Sequence, residues 1–160
     1  MNTTNTTSPT NAMKTTIDRT TNTITFQRTF DSPREDVFDA WTDPERIKQW
    51  WDPTGVPLAA CSVDLRPGGT FCFTAASGHA PPFNGVYSVV DRPAKLVFDA
   101  MGALGTVRLE TEGKTTRMTV TIRCSSAEHL EQFVKIGVAD GTDRTLDNLV
   151  AHVARARKTS

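Results

Sequence analysis

Histidines, which often serve acid–base chemistry and zinc binding, occur at three positions in this sequence. His129 and His152 fall in helix-like segments, and neither has a histidine or carboxylate partner at the i+4 spacing of a helical zinc site. His79 lies among Gly and Pro residues, which predicts an exposed loop. The sequence also lacks a nucleophile-elbow, P-loop or dinucleotide-binding motif. These patterns predict no catalytic residue, no metal site and no cofactor.

Arg28 is the most unusual polar residue, because it lies on the apolar side of an alternating segment with Ile24 and Phe26. A guanidinium at such a position needs a carboxylate, backbone carbonyls or solvent. We consider two roles for it: an ion pair with an acid from a neighbouring element, or an anchor for an anionic ligand. Tyr87, the single tyrosine, either presents its phenol to a cavity or satisfies a core position.

Two helix starts follow one another between positions 30 and 51. Ser32 and Glu35 form the pattern of a capping box around Pro33, which favours the first helical position. Asp43-Pro44 repeats the cap-and-proline pattern ten residues later. The first helix is therefore predicted to end just before Asp43.

Seven segments have the alternating polarity of strands, and the links between them carry turn residues. In the first hairpin, Cys61, Val63 and Leu65 are predicted to point inward. Its turn ends in Gly68-Gly69, where a positive φ is required. The predicted strands span 23–30, 59–65, 70–75, 83–91, 95–100, 106–111 and 116–124.

The C-terminal third is predicted to be helical but broken. The apolar stripes at 130–137 and 146–153 are rotated by roughly 150° from one another at 100° per residue. A straight helix cannot turn both stripes toward one sheet, so a break or kink is predicted near Gly137. Ser125 and Glu128 predict a capping box at the start of the first segment.

Five motifs are shared with a known group of proteins: Arg28-Thr29-Phe30, the helix pair at 33–44, Trp50-Trp51, Asp64–Gly69 and Gly85-Val86-Tyr87. They resemble the SRPBCC superfamily, the START-like (Bet v 1-like) group. The most similar branch is that of the C-terminal domain of the activator of heat-shock-protein-90 ATPase. The resemblance implies an α+β helix-grip fold, in which a curved antiparallel sheet of six to seven strands wraps around a long, kinked C-terminal helix. Two short helices are expected between the first and second strands, and a cavity between the sheet and the last helix.

The Gly141-Thr142 pair departs from the family pattern, which usually has Gly-Trp near the last helix. If that tryptophan lines the cavity, this end of the cavity is larger or more polar in the present chain. A glycine inside a helix costs up to about 1 kcal/mol, so Gly141 indicates a close approach of backbone or of a bound molecule. The predicted lining residues are Phe73, Tyr87, Phe98, Met118, Val134, Val138, Gly141 and Thr145, with Arg28 as the candidate anchor.

The leading hypothesis for function is a binding domain without catalysis. Its cavity, expected to be at least ~300 Å³, would hold a small hydrophobic or amphipathic molecule. Two alternatives suggested by the resemblance stay open. One is docking on a chaperone-type ATPase through a surface, and the other is catalysis of the polyketide cyclase/dehydratase kind with cavity acids and bases.

Composition limits the remaining possibilities. The 160 residues are predicted to form a single domain at 17–158 after a flexible, Thr/Asn-rich tail at 1–16. The 18 basic and 18 acidic side chains balance without long runs of either sign, which argues against a nucleic-acid partner. No apolar run approaches the ~20 residues of a membrane span. Cys61, Cys72 and Cys124 have no metal-type spacing and are predicted to be buried, reduced thiols, which suits a cytoplasmic protein.

Overall fold

A computed structural model describes residues 14–77 and 81–159 of the chain. His79, predicted to be an exposed loop residue, lies outside the described residues. The described residues form twelve helices and strands, in the order expected for a helix-grip fold. They are β1 Lys14–Asp18, β2 Thr23–Phe30, α1 Arg34–Thr42, α2 Pro44–Trp50, β3 Ala60–Val63, β4 Thr70–Thr74, β5 Phe83–Asp91, β6 Lys95–Ala100, β7 Ala103–Glu112, β8 Thr115–Arg123, α3 Ala127–Lys135 and α4 Val138–Thr159.

The strands form one curved antiparallel sheet in the order β1-β2-β8-β7-β6-β5-β4-β3. This confirms the α+β helix-grip prediction, although the described sheet has eight strands rather than six or seven. The additional strand is β1, whose Thr15 pairs with Phe26 of β2. The prediction of a flexible tail at 1–16 was therefore wrong for residues 14–16, which belong to β1. Residues 1–13 lie outside the described range. The threonine-rich β1 lacks the apolar alternation that marks a strand in sequence.

The two short helices lie where the sequence places them, but only one of their predicted caps is present. Asp43 caps α2, because its carboxylate accepts the Glu45 N–H at 3.0 Å. The capping box predicted for α1 was wrong: Pro33 is the N-cap and contributes no side-chain hydrogen bond. Ser32 is instead buried, and its carbonyl accepts the Thr116 hydroxyl at 2.7 Å.

A break at Gly137, with φ of +86°, separates α3 from α4 and confirms the predicted interruption. The cap of α3 lies one residue later than predicted. Ser126 accepts the His129 N–H at 3.1 Å, and the His129 Nδ1 atom accepts the Ser125 N–H at 3.1 Å. A histidine thus takes the place of the expected glutamate in a reciprocal cap.

The core lies between the inner face of the sheet and the helices, with Phe26, Phe38, Trp50 and Leu149 among its fully buried side chains. Leu65 was predicted to point inward, but it follows the end of β3 and is 40% exposed. None of the three cysteines is in a disulfide, and only Cys124 is buried. Within the described ranges, no helix is both long and apolar enough to cross a membrane.

Candidate functional site

An apolar cavity of about 250 Å³ lies between the middle strands of the sheet and the α3–α4 pair. The expected volume of at least ~300 Å³, the usual lower size of ligand pockets, was therefore wrong. Its wall combines residues from α1, the end of α2, β5 to β8, α3 and α4. The lining residues are Trp41, Trp51, Pro53, Phe83, Phe98, Ala100, Met101, Ala103, Gly105, Val120, Ile122, Phe133, Val138, Gly141, Thr142, Thr145 and Leu146.

Aromatic rings form the inner end of the cavity. Phe98 on β6 is paired with Gly105 on β7, and a Cβ at position 105 would lie 2.6 Å from the Phe98 ring. Glycine is therefore required at 105, because it lets the ring lie across the neighbouring strand. Trp51 packs on Phe83 with ring centroids 5.0 Å apart and on Phe73 at 4.8 Å. These contacts fill part of the space that the curved sheet leaves.

The outer end is bordered by exposed residues. Met101 and Gly102 join β6 to β7 with φ of 56° and 76°, the backbone of a tight two-residue hairpin. Met101 lines the cavity and is nevertheless 55% exposed. Exposed Pro53 also lines the cavity, and it lies beside Gly141 of α4. A Cβ at 141 would meet only the Pro53 Cγ atom at 3.9 Å, so the expected close approach of backbone at Gly141 was wrong, and open space lies there instead.

None of the described side chains that line the cavity is titratable. The Trp41 indole N–H donates to the Met118 sulfur at 3.3 Å, and the Thr145 hydroxyl donates to the Trp51 carbonyl at 3.0 Å. Thr142 is the other hydroxyl residue on the wall. The cavity is therefore an apolar chamber with few polar atoms and no acid–base group.

Four of the nine predicted site residues, Phe98, Val138, Gly141 and Thr145, line this cavity. The other five do not. Phe73 and Tyr87 border a separate void of about 10 Å³ on the far side of Trp41 and Trp51. Tyr87 is buried there, and burial raises the pKa of its hydroxyl well above the ordinary value. Met118 is fully buried below Trp41, and Val134 packs against the core.

Arg28 was a candidate ligand anchor, but its guanidinium is occupied by the protein. It is 3% exposed and donates to Asp143 Oδ1 at 2.9 Å and to Asp147 Oδ1 at 3.3 Å. It also donates to the backbone carbonyls of Gln27 at 2.9 Å and Asp143 at 3.2 Å. The ion-pair interpretation is therefore correct, and Arg28 fastens β2 to α4.

Sequence reasoning missed several lining residues. Val120 and Ile122 share the inward alternation of Met118 on β8, so the signal for them was present. Met101 gave no such signal, because a methionine in a turn resembles an ordinary surface residue. Pro53 likewise reaches the cavity only through the path of the loop after α2.

The family model for "Activator of Hsp90 ATPase homolog 1-like protein" matches residues 31–154. The chain belongs to this family, as the motifs at the helix pair and in the β3–β4 hairpin had suggested. No protein with curated annotation matches the sequence significantly.

Solved structures share the fold. The AHSA1-like protein from Aeromonas hydrophila is 27% identical, with a TM-score of 0.71 over 84% of this chain and 93% of that one. A protein from Mycobacterium smegmatis is 23% identical, with a TM-score of 0.78 over 89% and 98% of the two chains. A protein from Arthrobacter aurescens is 20% identical, with a TM-score of 0.80 over 89% and 91%.

Proposed function

We propose that this domain binds a small, largely apolar molecule in the cavity between the sheet and α4, without transforming it. The observation that supports this most strongly is the cavity itself, about 250 Å³ in volume and lined almost wholly by apolar side chains. An engineered apolar cavity of about 150 Å³ in another protein stays dry and binds benzene. If the number of ligand atoms scales with cavity volume, the present cavity suits a molecule of about ten non-hydrogen atoms.

The composition of the wall also supports binding over catalysis. Cyclisation or dehydration needs groups that accept and donate protons within reach of the substrate. The described lining contains no carboxylate, imidazole, amine, thiol or phenol. Tyr87, the phenol that could have served, borders the separate small void instead.

Naphthalene, with ten carbon atoms, is a suitable probe. Titration into protein labelled at Ile and Val methyl groups should shift the signals of Val120, Ile122 and Val138, which line the cavity. Val86 and Val89 are 42% and 37% exposed and do not line it, so their signals should stay unchanged. If naphthalene shifts no cavity methyl group at saturating concentration, the binding proposal fails. Docking on a chaperone-type ATPase would then be the better hypothesis.

A further inference from the structure

Thr142 lines the cavity and carries a hydroxyl without a partner among the described residues. A threonine inside a helix can donate its hydroxyl proton to the carbonyl four residues earlier, as Thr42 does to Phe38 at 2.9 Å. Thr145, one turn after Thr142, donates to Trp51 instead. Thr142 is half-buried, and its hydroxyl has no hydrogen-bond partner in the part of the chain that the structure describes.

Trp51, another residue of the wall, also carries a donor that is unpaired within the described ranges, its indole N–H. The other two indole N–H groups have partners, namely the Met118 sulfur for Trp41 and the Ala40 carbonyl at 3.0 Å for Trp50. Trp51 lines the cavity, and its N–H has no partner among the described residues. A polar group that loses water without gaining a partner costs free energy. A ligand that pairs with such a group therefore binds better than one that merely covers it.

The chemistry of the wall restricts the charge of such a ligand. No lysine, arginine or histidine is among the described lining residues, and the nearby Arg28 is committed to Asp143 and Asp147. An isolated carboxylate or phosphate would lose its hydration without gaining a cation, which is strongly unfavourable. A polar atom of the ligand that is enclosed by this wall, away from the exposed outer end, is therefore uncharged.

We infer that the ligand is a small hydroxylic or carbonyl compound, such as a phenol, an alcohol or a ketone, whose single oxygen hydrogen-bonds to Thr142. This inference rests on the proposed function. It makes Thr142 a residue that determines specificity within a largely apolar site. The remainder of the ligand, about nine or ten carbon atoms by the same proportion, occupies the apolar space toward β8.

Two probes and one isosteric substitution test the inference. Naphthalene and 2-naphthol differ by one hydroxyl, and Thr142→Val replaces the hydroxyl of the protein by a methyl group. Calorimetric titration should show 2-naphthol bound about 3- to 10-fold more weakly by Thr142→Val than by the wild type, the range expected for one net hydrogen bond. Naphthalene should bind the variant as well as the wild type or more tightly, and Thr142→Ser should retain the affinity for 2-naphthol.

Thr145→Val is the matched control, because its hydroxyl is already bonded to the Trp51 carbonyl. It should change the affinities for the two probes by the same factor. If Thr142→Val weakens both probes equally, or weakens neither, the role of Thr142 is refuted while the binding function stands. If the folded wild type, verified by its thermal melt, binds neither probe, the proposed function and this inference both fail.

Discussion

The burial of the Arg28 guanidinium predicts that removing Arg28 and removing its two aspartate partners destabilise the protein to different extents. Arg28 is 3% exposed, whereas its partners Asp143 and Asp147 keep 33% and 50% exposure. Arg28→Met leaves two carboxylates that can recover water. The double variant Asp143→Ala/Asp147→Ala leaves a buried cation with only two backbone carbonyls, those of Gln27 and Asp143, and it also removes the acceptor of the Thr15 hydroxyl.

The two perturbations should therefore differ in cost. An uncompensated buried charge costs about 3–5 kcal/mol, and we expect the double aspartate variant to lose this much free energy of unfolding. Arg28→Met should lose only about 1–2 kcal/mol, because its partners lie near the surface and methionine fills the apolar part of the site. The loss of free energy of unfolding should be clearly larger for the double aspartate variant, even though this variant removes the more exposed side chains.

Urea unfolding monitored by tryptophan fluorescence measures both values, provided that the slopes with denaturant stay equal. The same variants separate the two roles considered for Arg28. Because Arg28 links β2 to α4 and does not line the cavity, Arg28→Met should change the affinity for naphthalene by less than about twofold. If Arg28→Met is the more destabilising variant, or if it abolishes binding while the protein remains folded, the assignment is wrong.

Three further predictions follow from individual residues. Trp41→Ala should cost about 3–5 kcal/mol by truncating a buried ring and removing its bond to Met118, and denaturant unfolding should show a much smaller cost for Trp41→Phe. His152 should make the fold less stable at low pH: its Nε2 atom is buried without a described partner, and burial, followed by the charges of Arg46 and Arg155, lowers its pKa. Folding thus favours the neutral imidazole, so the free energy of unfolding is highest above the unfolded-state pKa of about 6.5 and decreases as the pH falls through it. Thermal melts at pH 7.5 and 5.5 should show a smaller pH dependence for His152→Leu than for the wild type. Equal pH dependences would refute the assignment. Gly137→Ala should lower the melting temperature, because φ at 137 is +86° and alanine is strained there, whereas Gly141→Ala should raise it.

The sequence predicted the elements whose local signals agree with their tertiary environment. Strand β2 alternates between a buried and a half-buried face along its whole length, so its inward residues were evident. Asp43-Pro44 caps α2 through purely local contacts, and Gly137 alone has the backbone freedom that the break requires. β1 was missed because its stability comes from pairing with β2 and from the bond between Thr15 and Asp143, which is 128 positions away.

The candidate site was less predictable, because a cavity is defined by where side chains fail to meet. Alternation places Tyr87 and Phe98 on strands that face the core, but it does not show that Tyr87 borders only the small void whereas Phe98 borders both spaces. The partner of Arg28 could not be read from sequence either, since Asp143 is 115 positions away. Met101 reaches the cavity only through the geometry of a hairpin turn.

The most direct test of the binding account is to fill the cavity from Gly141. A Cβ there meets only Pro53 at 3.9 Å, so Gly141→Leu can place its side chain in the space, where about four of the roughly ten carbon atoms that fit would be displaced. Leucine also favours the helix by up to about 1 kcal/mol over glycine, so the variant should stay folded. Asp140→Leu, on the exposed side of the same turn, is the control for added apolar surface. Calorimetric titration with naphthalene should show at least about tenfold weaker binding to Gly141→Leu and wild-type binding to Asp140→Leu, and an unchanged affinity in folded Gly141→Leu would contradict the account.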